Sequence, residues 1–93
     1  METNTMFPLG QIVITPEAFE LLRDENISPE SMIQRHVLAD WGDLTDSDKK
    51  ANELAIEMGG RILSSYKLPS GAEVWVTTDP DRTATTIMLP SEH

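Results

Sequence analysis

The chain has no cysteine. That excludes disulfides, thiolate nucleophiles, iron–sulfur clusters and cysteine-held zinc in one step. Stability must therefore rest on packing, hydrogen bonds and helix caps. Bases are also scarce, with 7 Lys and Arg against 16 Asp and Glu, for a formal net charge of −9. A surface of that sign repels phosphate backbones and anionic membranes. The expectation is thus no direct nucleic-acid or membrane partner, but a protein partner with a basic surface. No apolar run approaches the roughly 18–20 residues that cross a bilayer. The stretch Met1–Thr5 is acidic and polar, without the basic start and apolar run of a secretory signal. These features lead to the expectation of a soluble cytoplasmic protein with a flexible tail at residues 1–5 and one domain over 6–93.

What is present is helix and strand patterning in a definite order. Gln11-Ile12-Val13-Ile14 reads as a short strand. Thr15-Pro16-Glu17 combines a capping threonine, a proline suited to the first helical position and an acid facing the helix dipole. The same signal recurs at Ser28-Pro29-Glu30. A first helix is predicted over 16–24 and a second from 29 to about 39. Thr45-Asp46-Ser47-Asp48 opens a third. Its apolar residues Ala51, Leu54, Ala55 and Met58 recur at i, i+3, i+4 and i+7. This is the clearest stripe in the chain and predicts a core face centred on Leu54. Gly59-Gly60 stops that helix. Three β-rich runs follow, over 61–68, 72–78 and 83–89, joined by Pro69-Ser70-Gly71 and Asp79-Pro80-Asp81-Arg82. Short turns between them imply an antiparallel meander. The fold class is therefore α+β, three helices packed on a small antiparallel sheet in the order β-α-α-α-β-β-β. Acid concentrates in the helical part, since residues 17–57 hold 11 acids and 4 bases.

The constellations that carry chemistry are few. His36 is the internal residue whose ordinary pKa lies near neutrality. With Asp40 four residues on and Asp43 beyond, it outlines a metal or acid–base trio, provided the second helix reaches Asp40. Ser64 or Ser65 could complete a triad with it. A helix-end histidine serving structure accounts for the same residues. The expectation is no metal, no cofactor and no catalytic residue. Trp41 sits in a loop between Asp40 and Asp43. It reads either as a plug between the second and third helices or as an exposed anchor ringed by acid. Trp75 is assigned to core packing. Asp79–Arg82 reads as a turn in which Arg82 pairs with a neighbouring acid.

Arg35-His36, Asp40-Trp41-Gly42-Asp43, Asn52, Gly60-Arg61-Ile62-Leu63-Ser64 and Tyr66 form one half of a longer pattern. Trp75-Val76-Thr77-Thr78, Asp81-Arg82, Thr85-Thr86-Ile87 and Leu89-Pro90 form the other. The chain resembles, on these residues and over about 7–92, a family of small bacterial proteins associated with plasmids, phages and other mobile elements. The resemblance implies an accessory or anti-defence role, such as an anti-CRISPR or antirestriction factor, and assigns no catalytic residue. The functional expectation is a non-enzymatic protein-binding inhibitor or accessory factor. It would act on a basic, nucleic-acid-binding host protein through Asp40, Trp41, Asp43, Asp46 and Asp48. The alternative is a small hydrolase or ligand-binding domain centred on His36, Asp40 and Asp43.

Overall fold

The structure is a computed structural model and describes residues 6–93; the tail expected at 1–5 lies outside the described residues. Its order is β1 (Gln11–Ile14), α1 (Pro16–Asp24), α2 (Pro29–Val37), α3 (Asp46–Met58), β2 (Ile62–Lys67), β3 (Glu73–Thr78) and β4 (Ala84–Met88). A single 3₁₀ turn over Pro90–Glu92 follows. This is the α+β order expected from the sequence.

The caps act as their residue types predict. Thr15, Ser28 and Thr45 each accept a backbone N–H of the first helical turn, from Ala18, Glu30 and Asp48. Both short helices end on a residue in the left-handed region, Asn26 at φ 57° and Ala39 at φ 66°. After α1, Ile27 donates to the Leu22 carbonyl and Asn26 to that of Arg23. After α2, Asp40 donates to Arg35 and Ala39 to His36. These paired bonds close the helix ends and turn the chain out. Helix α2 therefore stops at Val37, short of the expected Ala39, and Asp40 is not on it.

The sheet order is β1-β4-β3-β2. Strands β2, β3 and β4 form the antiparallel meander. The first strand joins parallel to β4, with Ile14 opposite Ile87, so the sheet as a whole is mixed. One face carries Val74, Val76 and Ile87 into a core with Ala18 and Leu22 of α1, Met32 of α2, and Tyr66 and Leu68. A second cluster gathers Phe7, Trp41 and Ile62, with Leu44, Ala55 and Ile56 against it. Trp75 lies on the opposite face, half-buried. Its ring meets His93 edge-on at 5.2 Å, and its indole N–H donates to Glu73. The expectation that Trp75 packs the core fails because β3 alternates, and Val74 and Val76 take the inward positions.

Helix α3 is turned differently from its sequence pattern. Its buried residue is Asn52, with Lys49, Ala55 and Ile56 half-buried beside it. Ala51, Leu54 and Met58 face outward, with Leu54 56% and Met58 75% exposed. The core stripe predicted around Leu54 is displaced by one residue, about 100° of helix rotation. The cause is at Asn52. Its amide nitrogen donates to the Leu63 carbonyl at 2.6 Å, and its oxygen accepts the Leu63 N–H at 3.1 Å. That two-point grip on the outward backbone of β2 fixes which face of α3 meets the sheet.

Candidate functional site

His36 is fully buried on α2 and both its ring nitrogens are engaged. Nδ1 lies 2.6 Å from Ser64 Oγ and Nε2 lies 2.9 Å from Thr78 Oγ1. Thr78 reaches Thr85 at 2.8 Å, and Thr85 donates to the Leu9 carbonyl at 2.7 Å. The far end fixes the direction of every bond, because a carbonyl can only accept. Thr85 gives its proton to Leu9, so it accepts from Thr78, which in turn accepts from His36 Nε2–H. The Nδ1 lone pair is then free to accept from Ser64. His36 is thus a neutral imidazole with its proton on Nε2. Desolvation agrees, lowering its pKa to about 4.

The Ser64–His36 contact has the polarity of a nucleophile–base pair, and Ser64 is the serine of the two that meets His36. The third member, however, is the Thr78 hydroxyl and not a carboxylate, and Ser64, His36, Thr78 and Thr85 are all fully buried. The arrangement ties α2 to β2, β3 and β4 and to the segment before β1.

The trio of His36, Asp40 and Asp43 is not assembled. Asp40 pairs with Arg35, whose Nε lies 2.7 Å from Oδ2. That contact leads the fall of the Asp40 pKa and the rise of the Arg35 pKa. The Asp40 carboxylate also accepts from the Gly42 N–H, while its backbone carbonyl accepts the Tyr66 hydroxyl at 2.6 Å. Arg35 lies over the Tyr66 ring, 4.2 Å from its centroid. Burial pushes the Tyr66 phenol up to about 12. Asp43 accepts the Lys67 N–H through Oδ2 at 3.0 Å, and its own N–H donates to the Ser65 carbonyl. Among the described residues no group of three His, Asp or Glu side chains could hold a metal ion.

Trp41 is buried at 4% exposure, stacked on Phe7 and edge-on to His36. It is the plug, and the exposed-anchor reading is set aside. Its carbonyl accepts the Ser65 N–H. With Asn52 on Leu63 and Asp43 on Lys67, every outward backbone N–H of β2 is therefore met. Gly42 makes this approach possible. It sits at φ 74°, bridged to Ser65, where a Cβ would strike the Ser65 carbonyl and lie 2.6 Å from the Tyr66 ring.

Among the described residues Arg82 pairs with no acid, contrary to expectation. It donates to the carbonyls of Gly60, Ala55 and Asp79 at 2.6, 2.8 and 3.1 Å. It thereby caps the C-terminus of α3, whose own last turn has no base. The residues singled out between Arg35 and Arg82 are thus largely a set of mutual structural contacts.

Of the expected interface, Asp46 and Asp48 remain as exposed carboxylates in the first turn of α3. What sequence reasoning missed lies on the same helix. Ala51, Leu54, Ala55 and Met58, with Gly59, Gly60 and Arg61, line a shallow depression of about 250 Å³. Asp48, Glu53 and Glu57 stand exposed along the helix beside them. The stripe itself is the available signal, although its period alone places it in the core. Comparison with protein-family models, curated proteins and solved structures gives no match.

Proposed function

We propose that the chain is a non-enzymatic protein-binding module whose interface is the outward face of α3. The observation that supports this is the apolar stripe Ala51–Leu54–Met58, held at the surface by the Asn52 grip on β2 and bordered by more exposed acids (Asp46, Asp48, Glu53 and Glu57) than bases (Lys50 and Arg61). A contiguous apolar strip with a charged rim is the composition of a binding patch, not of a solvated helix face. The occupant is a protein surface with an apolar centre and a basic border. Its charge is argued from the net −9 of the chain and the concentration of 11 acids within residues 17–57. Such complementarity speeds encounter, while the apolar centre supplies affinity. The resemblance to mobile-element proteins adds a setting to this reading. A module that covers a basic, nucleic-acid-binding surface of a host protein would act as a stoichiometric inhibitor.

The test is to identify retained host proteins with the tagged chain and measure binding of the purified pair. A 1:1 complex that weakens with salt and is lost in Leu54→Asp/Met58→Asp is expected. A complex that binds this double variant with unchanged affinity would place the interface elsewhere.

A further inference from the structure

The two edges of the sheet are treated in opposite ways. The outward backbone of β2 is met by Asn52, Trp41 and Asp43, so no further strand can add there. Strand β1 forms the other edge. The N–H groups of Gln11 and Thr15 donate to Thr83 and Ile87 at the β4 side. Backbone groups alternate along a strand, so the N–H and C=O of Ile12 and Ile14 point away from β4. Ile12 is 47% and Val13 40% exposed. Beside them runs a groove of about 370 Å³ lined by Ile12, Pro29, Glu30, Ile33 and Gln34. Sheet edges are ordinarily blunted by charge, proline or a bulge. This strand has none of these, and no charged residue occurs from Met6 to Pro16.

We infer that β1 is a homodimer interface, pairing antiparallel with β1 of a second copy to continue the sheet across a two-fold axis. The register follows from which groups point outward. Ile12 of one copy faces Ile14 of the other, each pair exchanging both of its N–H···O=C bonds. Val13 faces its symmetry mate in the intervening position, where side chains approach most closely. Such an interface is self-complementary, as a two-fold contact must be. The choice of a second copy rests on charge. A basic partner finds its counter-charge on the helical layer, whereas β1 itself carries no charge and offers backbone, aliphatic side chains and the Gln11 amide. The segment from Met6 to Pro16 carries no charge that would repel its copy in a second chain of net −9, and Glu92, which accepts from Thr15, stands at its end. Among the described residues Glu30 is the one acid lining the groove, so dimerisation strengthens with salt, opposite to the α3 complex.

The experiment is sedimentation equilibrium of the full chain over rising concentration, at low and moderate salt. Wild type is expected to move from 10.4 kDa towards twice that mass. Ile12→Lys and Ile12→Pro should remain at 10.4 kDa with unchanged circular dichroism. Proline at 12 removes only an outward N–H, and edge strands accept it. Should that variant unfold, Ile12→Lys alone carries the comparison, because it keeps the backbone. Hydrogen exchange at the Ile12 and Ile14 amides should slow as the dimer forms. A wild-type chain that stays at 10.4 kDa throughout overturns the inference. So does a dimer that survives Ile12→Lys, or one abolished by Leu54→Asp instead.

Discussion

His36 shows how a residue that invites a catalytic reading can serve the core. Its sequence neighbours Asp40 and Asp43 suggest a charged partner. Its actual partners, Ser64 and Thr78, lie 28 and 42 residues away, and no local spacing could reveal them. The consequence is a pH dependence of definite sign. The folded pKa, about 4, lies below the ordinary 6.5, so the unfolded chain takes up the proton first. The His36 contribution to stability is complete above pH 6.5 and is lost as pH falls towards 4. Across that window the loss is on the order of 3 kcal/mol. Denaturant unfolding at pH 7 and near pH 4.5 should show it, and the His36 ring resonances should stay in the neutral form from pH 7 down to about 5.5, through the ordinary histidine range. A His36 that titrates near 6.5 in the folded chain contradicts the buried network. Gly42 makes a second prediction at this scale. Gly42→Ala combines a left-handed φ with a clash on the Ser65 backbone, and should cost more than about 2 kcal/mol in a urea melt. A near-neutral result would mean that the loop does not lie against β2.

The elements were legible where their signals are local. The three capping residues, Pro16 and Pro29 at the helix starts, and the β-rich runs of the meander all place their elements. The rotation of α3 was not legible, because the strongest apolar period in the chain is not the buried one. A buried amide satisfying two backbone groups of an edge strand outranks an apolar stripe, since unpaired backbone in the interior is costly. Two substitutions separate these readings. Leu54→Ala, expected from the sequence to cost about 2–4 kcal/mol as a core deletion, should change stability by no more than about 0.5 kcal/mol. Asn52→Ala leaves the Leu63 N–H and C=O without partners and should cost about 2–4 kcal/mol. The reverse order in matched thermal or urea melts would restore the sequence-based orientation of the helix. Asp40 and Asp43, expected in a partner interface, are tied into the fold for a related reason. Both hold backbone or Arg35, so a double lysine variant would perturb the fold as well as any interface.

At the scale of the molecule, the residues that tie helices to sheet and the exposed residues of α3 have separate roles. Trp41, His36, Asn52, Asp43 and Arg82 lock helices to sheet, so they set which surfaces remain outside. Those surfaces are an acidic helical layer with an apolar strip along α3, and an uncharged strand edge at β1. The central claim is that the α3 strip is the binding surface. Its most direct test is calorimetric titration of the identified partner with wild type and with Leu54→Asp/Met58→Asp, alongside thermal melts of both. Matching melts and a loss of affinity of at least about 2 kcal/mol, the range of a central interface residue, are expected. Equal affinity at equal stability would contradict it.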